Sequence, residues 1–171
     1  MDFFNEHIVA RKKGSKEYLF TAAIILGAIL LIFVLMLFLN YLQSFFLLLV
    51  AGVIYFMYIG ITSMNIEYEY IVTNGELDID KIAARRKRTR ILSVHSRSFE
   101  YFAPLNSEHK NAYDNTGITK RLDLTSNTGS SGVYFFIYYK NNDKICVTFE
   151  PTEKMIECFS KYVPRRAFFK A

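Results

Sequence analysis

The chain has 171 residues, a formal charge of +5, 51% hydrophobic residues and two cysteines. That length leaves room for two membrane-length helices and one small domain with its own core. Cys146 and Cys158 both sit among apolar residues, which excludes a disulfide framework or metal pattern and predicts small buried thiols in a reducing compartment.

Residues 1–17, MDFFNEHIVARKKGSKE, have two readings. As an amphipathic helix they gather Phe3, Phe4, Ile8 and Val9 on one side and lie in a membrane interface. Otherwise they form a solvated terminus.

From Tyr18 to Ile66 there is no charged residue. A span needs roughly 20 apolar residues at about 1.5 Å each. Residues 18–39 fit one transmembrane helix and 45–63 a second, with a short outer turn at 40–44 carrying Asn40, Gln43 and Ser44. The first run is too long for a secretory signal and no small-residue cleavage site follows it, so a retained anchor is expected. Arg11, Lys12, Lys13 and Lys16 precede the first span, and a dense basic run follows the second. Basic residues favour the cytoplasmic side, so a multi-pass cell-membrane protein with both termini cytoplasmic is expected. Almost nothing then lies outside to sense a ligand. The spans also lack the ionisable groups of transport paths, which disfavours transport by a monomer and leaves an oligomeric pore formally open. Ala23 and Gly27 form a small-xxx-small pair at a depth similar to Gly60. They are read as packing the hairpin, ahead of self-association into a homo-oligomer.

Beyond Ile66 the period becomes two. Ile66–Thr73 reads as a strand with Ile66, Tyr68, Tyr70 and Val72 on one face, Asn74-Gly75 as a tight turn, and Glu76–Ile82 as the return strand. Further strands are expected over 86–94, 97–102, 121–124, 133–139 and 145–150. Residues 104–120 form a long polar loop that is either functional or mobile. Pro151 is expected to open a helix whose stripe of Met155, Ile156, Phe159, Tyr162 and Val163 caps the sheet, and Pro164 to end it.

Seven short strands and one amphipathic C-terminal helix resemble a pleckstrin-homology-like (PH-like) barrel. The stretch YEYIVTNGELDIDKIAARRKRTRILSV resembles the start of bacterial PH-like domains carried on small membrane proteins. The chain as a whole is similar to uncharacterised bacterial membrane proteins with a two-helix anchor and a cytosolic module of this type. The implied fold is membrane α+β: a two-helix transmembrane hairpin, then a PH-like antiparallel β barrel or sandwich with a C-terminal helix over residues 66–166, and a tail at 167–171. The first turn has only two residues and the bases lie further on, so the lipid-binding residues of phosphoinositide-binding PH domains do not carry over.

Lys81, Arg85, Arg86, Lys87, Arg88 and Arg90 are the one dense basic cluster. Placed on a strand, Arg86, Arg88 and Arg90 share a face. The run reads as a topogenic and solubilising cluster, as an anionic-lipid contact or, last, as a nucleic-acid patch; RNA-binding module motifs are missing and nucleic acid is not expected. Glu76, Asp78 and Asp80 share a face of the neighbouring strand, where pairing with the bases would account for both charge runs. His7, His95 and His109 show no ligand spacing, and Ser96, Ser98 and Ser107 no nucleophile context. No catalytic residue, metal or cofactor is expected, and the chain is not read as an enzyme. It is read as a membrane protein displaying a PH-like module for protein or anionic lipid at the inner surface. Two alternatives follow: an accessory subunit or adaptor of a larger membrane complex, docking through residues 133–139 if their outer face is exposed, and, behind it, a membrane-bound enzyme with an unrecognised site.

Overall fold

The computed structural model describes residues 3–106, 108–114, 117–127 and 132–167. Met1 and Asp2 of the N-terminal segment, Ser107 and residues 115–116 of the expected 104–120 loop, residues 128–131 and residues 168–171 of the tail lie outside the described residues. The chain forms two compact units: one of Met1–Lys12, Glu67–Ile82 and Lys87–Ala171, the other of Lys13–Ile66 and Ala83–Arg86.

The second unit is a helical hairpin, α1 (Ser15–Leu37) and α2 (Leu39–Ser63). Gly14 N donates to Glu17 Oε2 at 2.9 Å, which satisfies one free donor at the start of α1. The residues shielded between the helices recur every three or four positions: Thr21, Ile24, Ala28, Ile32 and Leu35 on α1, and Phe46, Val50, Val53 and Met57 on α2. The expected 40–44 turn is mostly helical. The chain leaves helical geometry at Phe38 (φ −99°, ψ 16°) and again at Gln43 (φ 32°, ψ −106°), which kinks α2, while Tyr41 N and Leu42 N both bond to Phe38 O at 3.0 Å. These bonds make one short helical turn of the link between the two helices.

The first unit holds two four-stranded sheets. One runs β1-β2-β3-β4, from Phe4–Ala10, Ile66–Thr73, Glu76–Ala83 and Lys87–His95; the other runs β5-β7-β8-β6, from Phe99–Pro104, Tyr134–Lys140, Asp143–Phe149 and Lys120–Asp123. β6 lies parallel to β8, so the second sheet is mixed where an antiparallel one was expected.

The N-terminal segment corrects both sequence readings. Neither an amphipathic helix nor a frayed end, Phe4–Ala10 is the edge strand of the first sheet, antiparallel to β2 with Ala10 opposite Glu67. Burial alternates along it and Val9 is its buried apolar residue, while Phe4 and Ile8 stay exposed. β2 offers it a row of backbone donors and acceptors, which outweighs the helical spacing of a seven-residue run. The hairpin is therefore inserted between two paired strands of one domain, and 66–166 is not the whole of that domain.

Its core joins Tyr70, Leu77 and Ile79 of the first sheet to Phe102, Phe136 and Phe149 of the second, all without measurable exposure. Phe99 stacks on Phe136 with ring centres 4.3 Å apart. Helix α3 is the single turn Lys110–Tyr113, and helix α4 (Glu153–Tyr162) closes this core with Met155, Cys158 and Phe159, whose ring stands 5.4 Å from Phe102 and 5.9 Å from Phe99. The helix opens at Thr152 rather than Pro151: Thr152 Oγ1 accepts from Met155 N at 3.3 Å, and proline precedes the cap. Both residues of the Asn74-Gly75 turn have positive φ, 50° and 87°. Gly75 is needed twice over, because a Cβ there would stand 2.6 Å from the Tyr162 ring.

Candidate functional site

The two ends of the basic run are held differently. The β3–β4 turn places Ala84 and Arg85 at φ 54° and 55°, closed by Arg86 N to Ala83 O at 3.0 Å. Left-handed backbone costs a residue with a side chain roughly 1–2 kcal/mol, and Asn-Gly would be the easy sequence here. Ala84 N donates to Asn65 O at 2.9 Å, two residues past the end of α2. This bond holds the exposed Arg85 and Arg86 beside the helix end. Lys13 and Lys16 start α1 at the same end of the hairpin, because Thr21 Oγ1 on α1 meets Met64 Sδ after α2 at 3.9 Å.

Arg88 and Arg90 are engaged on the sheet. Arg88 Nη2 lies 2.7 Å from Glu69 Oε1. Arg90 Nη1 lies 2.7 Å from Asp78 Oδ2, and its Nε pairs with Asp80. Glu76 takes a hydroxyl instead, Ser93 Oγ at 3.2 Å. Asp80 raises the pKa of Arg90 further through its hydrogen bond. Glu69, only 1% exposed, moves the opposite way from a typical salt-bridged acid: burial chiefly, then the neighbouring Glu6 carboxyl, raises its pKa against the pull of Arg88. Arg86 lies in the turn and not on the strand, so the expected row of three arginines is a pair. Lys81 is half-buried on β3, and Lys87 is exposed where β4 begins.

The small residues of the hairpin divide as well. A Cβ at Gly60 would approach Ile24 Cδ1 to 3.5 Å, so Gly60 sits in the close contact. Ala23 is exposed, and a Cβ at Gly27 would meet nothing within 4 Å. Gly27 instead borders a cavity of about 320 Å³ that Ile24, Leu31, Val53 and Met57 also line.

The docking surface expected on 133–139 is covered. Tyr134–Tyr138 are buried on both faces of β7, leaving Tyr139 and Lys140 exposed. The outer face, Ala103, Phe135, Ile137 and Cys146, lies under Tyr101, Ala112, Tyr113 and Ile118. The described part of the long 104–120 loop is thus a lid on the sheet, pinned by Arg121 Nη1 to Tyr113 O at 2.6 Å and by Tyr101 Oη to His109 Nδ1 at 2.9 Å. Both cysteines are free and buried, and burial pushes the Cys146 thiol up to about 11.

Residues 1–169 match the family model described as "Bacterial PH-like domain (DUF6106)". The chain belongs to this family. No curated protein and no solved structure matches it. The match begins before the hairpin, in accord with a PH-like domain that takes its first strand from the N-terminal segment. The hairpin helices of 23 and 25 residues are long and apolar enough to cross a membrane, and none of their apolar windows is buried by the rest of the chain. A core helix of a soluble protein would be covered; these are not, and two such helices point to a membrane association of the chain.

Sequence reasoning missed β1 and the buried Glu69. The alternation over Ile66–Thr73 puts Glu69 on the face opposite Tyr68 and Tyr70, and nothing in β2 itself announces the arginine two strands away.

Proposed function

We propose that the chain crosses the cell membrane twice with both termini cytoplasmic, and that its PH-like domain is a non-enzymatic binding module for anionic lipid headgroups at the inner surface. The register of Ala10 opposite Glu67 supports the two crossings, because the hairpin leaves and rejoins the domain at adjacent positions. The observation that carries the lipid reading is the 2.9 Å bond from Ala84 N to Asn65 O. It puts Arg85 and Arg86 at the end of α2 where Lys13 and Lys16 also begin the hairpin, at the cost of two strained turn residues. Backbone strain of this kind collects where position matters. Four cations at an anionic surface contribute about 1 kcal/mol each. Arg88 and Arg90 leave the candidate set, since acids on the sheet already match their charge.

The test is the full chain reconstituted in vesicles of phosphatidylcholine with a minority of phosphatidylglycerol. Lipids retained on extraction are expected to be enriched in phosphatidylglycerol, less so at high salt, and not in an Arg85→Ser, Arg86→Ser variant. Equal enrichment in wild type and variant would overturn the assignment. The adaptor reading rests on a different feature, the exposed Phe4 and Ile8 on the edge strand β1. A photo-crosslinker at Phe4 in native membranes would give one reproducible protein adduct if it holds.

A further inference from the structure

We propose that the open edge of β1 takes an added strand from a protein partner: an extended basic segment, one of whose arginines reaches the unpartnered carboxylate oxygen of Glu69. The inference rests on the adaptor reading, gives it a binding mode, and is independent of the lipid reading.

β1 ends the order β1-β2-β3-β4, so one of its sides has no neighbouring strand. The start of the strand shows which residues face that side. Phe3 N donates to Asn74 Oδ1 at 2.9 Å, and Phe3 O accepts from Asn74 N at 3.0 Å. In an antiparallel pair a residue's N–H and C=O point to the same side, and that side alternates along the strand. Phe3, Asn5, His7 and Val9 therefore turn toward β2, while Phe4, Glu6, Ile8 and Ala10 turn their backbone groups outward. Lys12 N, two residues past the strand, is bonded to Ser126 O at 2.8 Å, so the open edge runs from Phe4 to Ala10. The edge has no proline, lysine or bulge to blunt it. Phe4 and Ile8 on it are exposed.

The face beside this edge is acidic. Tyr68, Tyr70, Leu77 and Ile79 turn into the core, so Glu67, Glu69, Glu76, Asp78 and Asp80 share the outer face with Glu6. The buried Glu69 carries the specific signal. Its Oε1 is taken by Arg88, while its Oε2 is shut off from solvent and has no hydrogen-bond donor among the described residues. A buried acceptor left unmatched is costly. Arg88 stands two strands from Glu69 on one side. A strand added to β1 stands two strands from it on the other. At about 4.8 Å per strand, a partner arginine there has the same span to cover as Arg88. Ile8 is directly paired with Glu69, and its half-exposed side chain is the one that must give way. The partner residue opposite Ile8 is then the arginine, with a second base opposite Glu6 and an apolar residue against Phe4. A second copy of this chain fits poorly. Two β1 strands in parallel register set Glu6 beside Glu6. Antiparallel, they leave the two leads into α1 at opposite ends of the joined strands, whereas the proposed topology sends both hairpins into one bilayer.

The experiment uses the full chain in nanodiscs of phosphatidylcholine alone. The probe is a synthetic peptide as long as β1, seven residues of alternating arginine and valine. It is expected to bind and to protect the Glu6 and Ile8 amides from hydrogen exchange. Replacing its arginines by citrulline keeps their shape and removes their charge, and is expected to weaken binding by about tenfold or more. This comparison leaves the protein unaltered; in Glu69→Gln the citrulline penalty is expected to shrink. Methylating the peptide nitrogens that face β1 is expected to abolish binding, and Arg85→Ser, Arg86→Ser to leave it at the wild-type level. Unprotected Glu6 and Ile8 amides, equal binding of the arginine and citrulline peptides, or full binding of the methylated one would each overturn the added strand. Protection of β1 by the peptide with no Phe4 adduct in native membranes would count against the adaptor reading alone.

Discussion

Arg88 on β4 reaches across β3 to the buried carboxylate of Glu69 on β2, at 2.7 Å. One side chain thereby ties β4 to β2 across the strand between them. Replacing Arg88 by Ser leaves a buried acceptor unmatched and is expected to lower stability by about 1–3 kcal/mol. The double change Arg88→Ser with Glu69→Gln is expected to recover part of that loss. Urea unfolding of the three proteins checks it, and equal stabilities would show that the pair contributes nothing.

Phe159 is fully buried among Phe99, Phe102 and Phe149. Phe159→Ala is expected to cost about 3–5 kcal/mol, a large share of a small domain's stability. A melting transition within a degree or two of wild type would mean that α4 does not close the core.

The edge strand makes a fragment experiment informative. A soluble piece covering residues 66–167 lacks Val9, the Arg11 Nη1 to Tyr68 Oη contact at 3.2 Å and the Lys12 N to Ser126 O bond at 2.8 Å. It is expected to melt at a lower temperature than the same piece mixed with a peptide of residues 3–12. If the peptide changes nothing, β1 is not a structural strand of the domain.

Gly75 separates two causes of a substitution's cost. Gly75→Asn suits the positive φ better than Gly75→Ala does, since Asn tolerates left-handed backbone, yet both bring a Cβ against Tyr162. Both variants are therefore expected to be destabilised, with Asn only slightly the milder. Wild-type stability of the Asn variant would leave backbone conformation as the sole reason for glycine.

For the proposed topology, a cysteine at Gln43 is expected to react with an impermeant maleimide added outside intact cells. One at Asn142, in the exposed β7–β8 turn, is expected to react only after lysis. The reverse pattern would sink the orientation.

Much of this architecture was legible because its signals are local. Uniform hydropathy announces both helices, strict alternation announces β2 and β3, Asn74-Gly75 announces their turn, and the stripe ending at Val163 announces α4. What stayed hidden depends on distant partners. Seven residues at Phe4–Ala10 fit either period, and their strand identity comes from β2, far along the chain. The polar sequence of 104–120 conceals Ala112, Tyr113 and Ile118, whose burial needs the outer face of β7. The basic run looked uniform, but Arg88 and Arg90 pair with acids on other strands of the sheet while the turn before them is tied to Asn65.

The insertion of the hairpin between β1 and β2 also sets an order of assembly. β1 is synthesised first, yet it has no strand to join until both helices have been made and β2 follows them. During translation its exposed backbone and the aromatic Phe4 must wait until both helices have been made, which under the proposed topology includes their insertion into the bilayer. Completion of the sheet thus reports that the hairpin has been made and has brought Ala10 and Glu67 together. A chain stalled in the bilayer with its helices unpaired would carry a visible mark: a domain missing its first strand, and a free edge on β2 open to proteases and to the strands of other chains.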